Sequence, residues 1–217
     1  MPSHTRCLSV LMGLAAIVAA GVSPLPAQPV ASSTFDTNDE GWTVVTTLGY
    51  TGPVNYESSG GNPGGYIWAA DPDTGAWGFR APAKFLGDVS AAYGGQLTFD
   101  IASVNPVYDS AWVAIDGNGL QFVHAYDAPE LPGVTYGRSV PIVAGTGWID
   151  PISYDPATEA ELRSALASLD TLAIVAEFAD GTGGEDVSAL DNVILTPEPA
   201  SLALLAAALP FILRRKR

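Results

Sequence analysis

Short strand-like runs separated by turn signals recur along the middle of this chain, and they constrain its fold most strongly. Gln96–Ser103 alternates polar and apolar residues, which gives one buried and one solvated face. Asp116–Gly119 predicts a tight hairpin turn, because its Asp-Gly and Asn-Gly pairs suit positive φ angles. The pattern predicts an all-β chain, an antiparallel β-sandwich or jelly roll. The strand-like runs are Trp42–Leu48, Gly65–Ala69, Gln96–Ser103, Ala111–Ile115, Leu120–Ala125, Val140–Val143, Leu172–Phe178 and Val193–Leu195.

One short helix is predicted near residues 158–168. Thr158 and Glu161 have the spacing of a capping box, in which each side chain accepts a hydrogen bond from the other residue's backbone N–H. The apolar residues that follow recur with helical spacing and form one stripe, which we expect to cover an end of a sheet. These residues are Leu162, Ala165, Leu166 and Leu169.

Residues 1–31 have the pattern of a signal peptide. His4 and Arg6 precede the uncharged run Leu8–Val22, and small residues and prolines follow it. A short charged head, an apolar run below membrane-spanning length and a small-residue exit are typical of a secretory signal. We therefore expect export from the cytoplasm; the alternative is a permanent N-terminal anchor.

The last 21 residues, 197–217, form a second targeting segment. Pro197-Glu198-Pro199 is followed by the apolar run Leu202–Leu213, which is short for a bilayer and contains Pro210. The chain ends in the basic cluster Arg214, Arg215, Lys216 and Arg217, which should stop transfer and stay on the cytoplasmic side. A plain tail anchor has the same physical features.

The order of these three elements resembles the bacterial PEP-CTERM sorting signal. The resemblance implies that Pro197, Glu198 and Pro199 are recognised and cleaved by a membrane-embedded exosortase. It also implies a Gram-negative bacterium that makes extracellular polysaccharide. The protein would be held at the membrane by its C-terminal hydrophobic helix before sorting, and would then be at the cell surface or extracellular.

Residues 35–196 resemble the laminin IV type A (laminin B) domain. The opening Phe35-Asp36 and Glu40-Gly41-Trp42 fits that family, and the block Trp77–Asp100 is its most specific part. Gly147-Trp148, Leu172–Phe178 and Leu190–Leu195 follow in the same order. The resemblance implies an extracellular β-sandwich of the galactose-binding-like or jelly-roll type without an established catalytic role. The cysteine-rich repeats that flank the domain in laminins are absent from this sequence.

Charge and reactive side chains exclude several functions. The chain carries 23 acidic and nine basic residues, and only four of the basic residues lie between residues 32 and 196. Such a body repels phosphate backbones, so nucleic-acid binding is excluded. Cys7 is the single cysteine and His124 the single histidine after the leader, which excludes a disulfide and a thiolate zinc site in the body.

Calcium is the cofactor that the residues themselves suggest. Carboxylates spaced by one residue in loops can converge on Ca²⁺, as in Asp71–Gly75 and in the loop Asp180–Asp186, although neither completes a recognised calcium loop. In jelly-roll sandwiches the terminal strands often contribute a structural calcium site, and by that analogy Asp36 and Asp191 are the candidate ligands. The alternative is that the aspartates of these Asp-Gly loops bind no ion and only stabilise the turns by hydrogen bonds to the backbone.

Aromatic residues suggest a ligand site. Tyr56, Tyr66 and Trp68 lie beside the glycine-rich segment Gly60–Gly65, where exposed rings could stack on sugars. The alternative is that the aromatic residues belong to the core. The sequence thus predicts a non-catalytic, exported and surface-sorted module, binding or structural, in the cell envelope or extracellular polysaccharide matrix. The alternative function is a carbohydrate-active hydrolase that uses paired carboxylates.

Overall fold

A computed structural model describes residues 28–180 and 183–198. Within these ranges the chain forms twelve strands, two short 3₁₀ helices at Ala83–Phe85 and Ser90–Ala92, and one α-helix, α1, at Glu159–Leu166. The strands are β1 Ala31–Ser33, β2 Thr43–Thr46, β3 Thr51–Pro53, β4 Asn55–Gly61, β5 Gly64–Asp71, β6 Trp77–Arg80, β7 Gln96–Ser103, β8 Ser110–Gly117, β9 Leu120–Asp127, β10 Tyr136–Pro141, β11 Leu169–Val175 and β12 Gly183–Thr196.

The strands form two six-stranded antiparallel sheets. The first sheet has the order β10-β7-β12-β5-β4, with β1 also paired to β12. The second has the order β3-β2-β6-β11-β8-β9. This arrangement confirms the predicted all-β sandwich, and consecutive pairs such as β8–β9 confirm the expected hairpin, in which Asn118 and Gly119 both have positive φ.

The core lies between the sheets and follows the period of two. On β7, Leu97, Phe99 and Ile101 are buried, while the residues between them point outward. Trp42, Trp77 and Trp148 are each only 1% exposed, so three of the five tryptophans are core residues. Trp68 and Trp112 are not, and both lie on outward-facing positions of their strands.

Helix α1 confirms the predicted helix and packs against β8. Its N-cap is Thr158, whose hydroxyl accepts a hydrogen bond from Glu161 N, while the Glu161 carboxylate accepts one from Thr158 N. Gly117 lies where the helix meets the strand: a Cβ there would be 2.2 Å from the carbonyl oxygen of Ala165. Only glycine permits this close approach.

Four strands, β1, β3, β4 and β6, have no counterpart among the predicted runs, and β10 and β12 were predicted only in part. Strand β4 is polar and glycine-rich because it is an edge strand with one solvated face, and it therefore lacks the apolar alternation of a buried strand. Strand β12 runs from Gly183 to Thr196, although only Val193–Leu195 had a strand-like composition. The predicted run Val140–Val143 overlaps only the end of β10.

The ends of the domain are neighbours. Ala31 on β1 pairs with Leu195 on β12, and Val30 N donates a 2.7 Å hydrogen bond to Leu195 O. Pro197 follows the last residue of β12 directly. Most of the predicted signal peptide, and the sorting segment from Pro199 onward, lie outside the described residues. In the ranges that are described, no helix has the length and apolar character needed to cross a membrane.

Candidate functional site

A cleft of about 420 Å³ lies on the outer face of the first sheet. Strands β4, β5, β7 and β12 contribute to it, together with the segment 133–135 that leads into β10. A volume of this size is in the range of pockets that hold small ligands. We call this feature the sheet cleft.

The floor of the sheet cleft is low because two central strands carry alanine at the outward positions. Ala189 on β12 pairs directly with Trp68 on β5 and with Ala102 on β7, so these three side chains share one row on one face. Two methyl groups beside a large indole leave open space above the sheet. The cleft therefore follows from residue size at three adjacent positions.

Aromatic side chains form one wall. Tyr66 and Trp68 are two residues apart on β5, so both rings stand on the outer face, and both are partly exposed. Glu57 on β4 pairs with Tyr66, and the indole Nε1 of Trp68 donates a 3.4 Å hydrogen bond to Glu57 Oε1. This contact places a carboxylate next to the ring edge.

The structure separates the three aromatic residues suggested by the sequence. Tyr66 and Trp68 lie together in the cleft. Tyr56 pairs with the fully buried Ile67 and packs against the hydrophobic core, so it lies on the opposite face of the sheet. Adjacent strand residues alternate between faces, which explains why Tyr56 and Glu57 point in opposite directions.

The segment around Gly133 forms the opposite wall. Gly133 N donates a 2.7 Å hydrogen bond to Ser103 O at the end of β7. This bond holds the segment over the sheet edge, and Thr135 then continues the wall toward β10. The sheet cleft thus lies between an aromatic wall and a backbone wall.

One end of the cleft is polar and internally hydrogen-bonded. Asp191 is 3% exposed, and its Oδ2 and Oδ1 accept 2.7 Å hydrogen bonds from the backbone N–H groups of Asn62 and Asn192. Asp100 Oδ2 accepts side-chain amide hydrogen bonds from the same two asparagines. Burial raises the pKa of Asp191, and the two backbone N–H groups counteract part of that rise.

The calcium candidates Asp36 and Asp191 both lie against the β4–β5 turn. Asp36 Oδ1 is 2.6 Å from the position that a Cβ on Gly64 would occupy, and Asp191 Oδ2 is 2.6 Å from the same position on Gly61. Asp36 Oδ2 also accepts a 2.8 Å hydrogen bond from Thr34 Oγ1. A calcium ion at these two residues stays a prediction.

The lining of the cleft is acidic. It contains the carboxylates Glu57, Asp100 and Asp191, and among the described lining residues there is no lysine or arginine. Sequence reasoning missed Glu57 and the two alanines. The alternation of polar and apolar residues along β7 could have placed Asp100 and Ala102 on the outer face. No local sequence pattern, however, indicates that β7 pairs with β12.

Comparison with known proteins identifies the family. The model of the laminin B (domain IV) family matches residues 78–201, more than half of the sequence. The chain belongs to the laminin B (domain IV) family. The match confirms the resemblance carried by the block Trp77–Asp100, whereas the sorting segment stays a prediction.

A mouse basement membrane-specific heparan sulfate proteoglycan core protein is 30% identical to this laminin B domain over 122 residues. The match covers 54% of this chain and 3% of that protein, so the chain spans a very small part of its relative.

Two solved structures share the fold of this laminin B domain. The L4b domain of human laminin alpha-2 superposes with a TM-score of 0.59 at 17% identity, over 76% of this chain and 97% of that domain. The carbohydrate-binding module CtCBM11 superposes with a TM-score of 0.51 at 18% identity, over 81% and 98%. Family and fold together support a non-catalytic binding or structural module.

Proposed function

We propose that this laminin B domain is a binding module that holds a neutral polysaccharide chain in the sheet cleft, without cleaving it. The observation that carries the proposal is the placement of Tyr66 and Trp68 on one outer strand face, beside a floor of two alanines. Aromatic faces and a low floor suit the flat C–H faces of sugar rings.

The charge of the lining restricts the class of glycan. Glu57 and Asp100 can accept hydrogen bonds from sugar hydroxyls, whereas they would repel the carboxylate or sulfate groups of an anionic polysaccharide. Since the described lining offers no cation to offset such groups, we expect neutral chains to bind and anionic chains to be rejected. The overall formal charge of −14 also disfavours the binding of anionic polysaccharides.

The test is affinity electrophoresis of the full chain in gels that contain one polysaccharide each. Xylan, β-glucan and galactomannan represent neutral chains, and hyaluronate represents anionic chains. We expect retardation in at least one neutral gel, none in hyaluronate, and no release of reducing sugar. Trp68→Ala should weaken the binding at least tenfold, which corresponds to about 1.4 kcal/mol.

Trp112→Ala is the matched control. Trp112 is 44% exposed on the second sheet, so its loss removes an exposed indole of the same size away from the cleft. Equal weakening by both substitutions, or the absence of retardation in every neutral gel, would reject the sheet cleft as a glycan site. Release of reducing sugar would replace the proposal with a hydrolase.

We also propose that the chain is exported and sorted through its two end segments. Two prolines flank Glu198, so neither neighbour can donate a backbone hydrogen bond that would fold the triplet into a helix or sheet. Expression with an internal tag, in one Gram-negative host that has the sorting enzyme and one that lacks it, tests this. A shorter released product in the first host alone supports sorting. Equal size and equal membrane retention in both hosts would show that the C-terminal segment acts only as a membrane anchor.

A further inference from the structure

Three carboxylates from distant parts of the chain meet away from the sheet cleft. Asp71 ends β5, Glu177 follows β11 by two residues, and Asp186 lies near the start of β12. One oxygen atom of each lies within 4.8 Å of the others. We call this group the acidic triad. None of its members lines the sheet cleft.

The fold brings together two loops that were incomplete as separate calcium motifs. Asp71 begins the first of these loops and Asp186 ends the second. Gly183 pairs with Asp71 and Val187 with Ala70, so three residues of β12 bulge between two adjacent positions of β5. Asp186 is the last of the three, and the bulge directs it inward, where it is fully buried.

Glu177 reaches the triad from the second sheet. Ala176 N donates a 2.9 Å hydrogen bond to Trp77 O, which ends the pairing of this segment with β6. Glu177 Oε2 then accepts a 3.3 Å hydrogen bond from Trp77 N. The acidic triad therefore joins β5 and β12 of the first sheet to the end of β11 in the second.

Asp186 has an unpartnered oxygen atom in this buried position. Its Oδ2 accepts a 2.8 Å hydrogen bond from the indole Nε1 of Trp77. No group within the described residues completes a hydrogen bond to its Oδ1, which is inaccessible to solvent. A buried carboxylate oxygen without a partner costs free energy unless a ligand satisfies it.

Within the described residues, no ion pair brings a positive charge to the triad. The ion pairs among the described residues are Lys84 with Glu40 and Arg163 with Glu159, and neither involves these carboxylates. Burial, reinforced by Asp71 and Asp186, raises the pKa of Glu177 to about 7. Burial also raises the pKa of Asp186 to about 6, although the Trp77 indole and the nearby backbone N–H groups of Phe178 and Ala179 oppose the rise.

We propose that Asp71, Glu177 and Asp186 bind a divalent cation of the calcium type, which links the two sheets. Carboxylate oxygens are hard ligands, and irregular oxygen sets suit Ca²⁺ better than Mg²⁺, which demands near-octahedral geometry. The cation would satisfy Asp186 Oδ1 and neutralise charges that otherwise repel one another. Since the three ligands come from two sheets, binding should stabilise the whole sandwich.

Terbium luminescence tests the site, because Tb³⁺ replaces Ca²⁺ and is sensitised by a nearby tryptophan. The Trp77 indole is hydrogen-bonded to Asp186, so excitation of tryptophan should produce Tb³⁺ emission in the full chain, and added Ca²⁺ should remove it. Ca²⁺ should also raise the Tm of a chelator-treated sample. Glu177→Gln and Asp186→Asn should each raise at least tenfold the ion concentration that is needed for half of the Tb³⁺ emission and for half of the rise in Tm.

These two substitutions keep side-chain size and remove one charge, so the variants should fold, with a Tm in chelator at or above that of the unsubstituted chain. Glu130→Gln is the matched control, because it removes one charge from an exposed glutamate outside the acidic triad, and it should leave both responses unchanged. Asp191→Asn is measured beside it as the test of the other calcium candidate. The proposal is overturned if Ca²⁺ leaves Tm unaltered. It is also overturned if only Asp191→Asn abolishes the response.

Discussion

The indole Nε1 of Trp77 donates a 2.8 Å hydrogen bond to Oδ2 of Asp186, a residue 109 positions further along the chain. Trp77 is on β6 in the second sheet, and Asp186 is on β12 in the first. Both side chains are buried. The bond therefore fixes the position of the β12 bulge relative to the opposite sheet.

Trp77→Phe should lower the free energy of unfolding by about 2–3 kcal/mol, because it keeps an aromatic ring but leaves a second oxygen of Asp186 without a donor. Urea unfolding in chelator measures the loss without any contribution from a cation. Trp112→Phe is the control, since Trp112 is exposed and makes no side-chain hydrogen bond within the described residues, and it should change stability by less than about 0.5 kcal/mol. Equal losses would contradict a role for the bond.

Gly117→Ala should destabilise the domain by about 1–3 kcal/mol through overpacking. The added Cβ would be 2.2 Å from Ala165 O and 2.7 Å from Ser168 O, so α1 would have to move away from β8. Gly137→Ala provides the comparison, because a Cβ at that exposed strand position would meet only the flexible end of Asp100, at 3.3 Å. Thermal melts of both variants check the difference, and similar Tm values would show that the helix can shift freely.

The sequence predicted the sheets better than the sites, for a physical reason. Strands such as β7 alternate polar and apolar residues, and α1 carries its own capping box, so each is encoded within a few consecutive positions. Tyr66 and Trp68 share a face through the same period of two. Their partner Glu57 was missed because the edge strand β4 has no apolar alternation to reveal its faces.

No local sequence pattern identifies all three members of the acidic triad. Asp71 and Asp186 stood in two recognisable loops, but Glu177 follows an apolar strand and resembles an ordinary solvated carboxylate. Only the pairing of β5 with β12, and the packing of Trp77 between the sheets, brings the three together. Contacts over such separations depend on tertiary structure and not on residue spacing.

Ala189→Leu should abolish glycan retardation while leaving the fold intact. Ala189 forms the floor of the sheet cleft between Trp68 and Ala102, and a leucine there would fill the space that a sugar ring needs. Its matched control is Ala114→Leu, the same change at a half-exposed position on the second sheet. Affinity electrophoresis and circular dichroism are measured on both. Unimpaired binding by Ala189→Leu would place the glycan elsewhere.

The stability of the domain should fall in acid partly through Glu40. Burial opposes ionisation of Glu40, but hydrogen bonds from Lys84 and from Phe35 N outweigh it and hold the pKa below the ordinary value of 4.5. A lowered carboxyl pKa contributes stability above about pH 4.5 that is lost as the pH falls through the folded-state value. The same carboxylate accepts a hydrogen bond from Thr34 N and so supports the positive φ of Phe35.

Glu40→Gln isolates the ionisation, because the amide oxygen can still accept the two backbone hydrogen bonds. Urea unfolding over a pH series should show a shallower loss of stability below pH 4.5 for this variant than for the unsubstituted chain. Glu130→Gln, at an exposed position without hydrogen bonds among the described residues, should retain the original slope. Identical slopes for all three proteins would show that ionisation of Glu40 does not contribute to the loss of stability in acid.

The antiparallel pairing of Ala31 with Leu195 has a mechanical consequence. Chain entering at residue 30 and chain leaving at residue 196 depart from the same end of the β1–β12 ladder. A pull on both segments loads the outermost rung first and then Ser32–Ile194 and Ser33–Val193 in turn, as in opening a zipper. Because the three rungs separate one after another, a force applied across residues 30 and 196 would detach β1 more easily than a force that shears all three rungs at once.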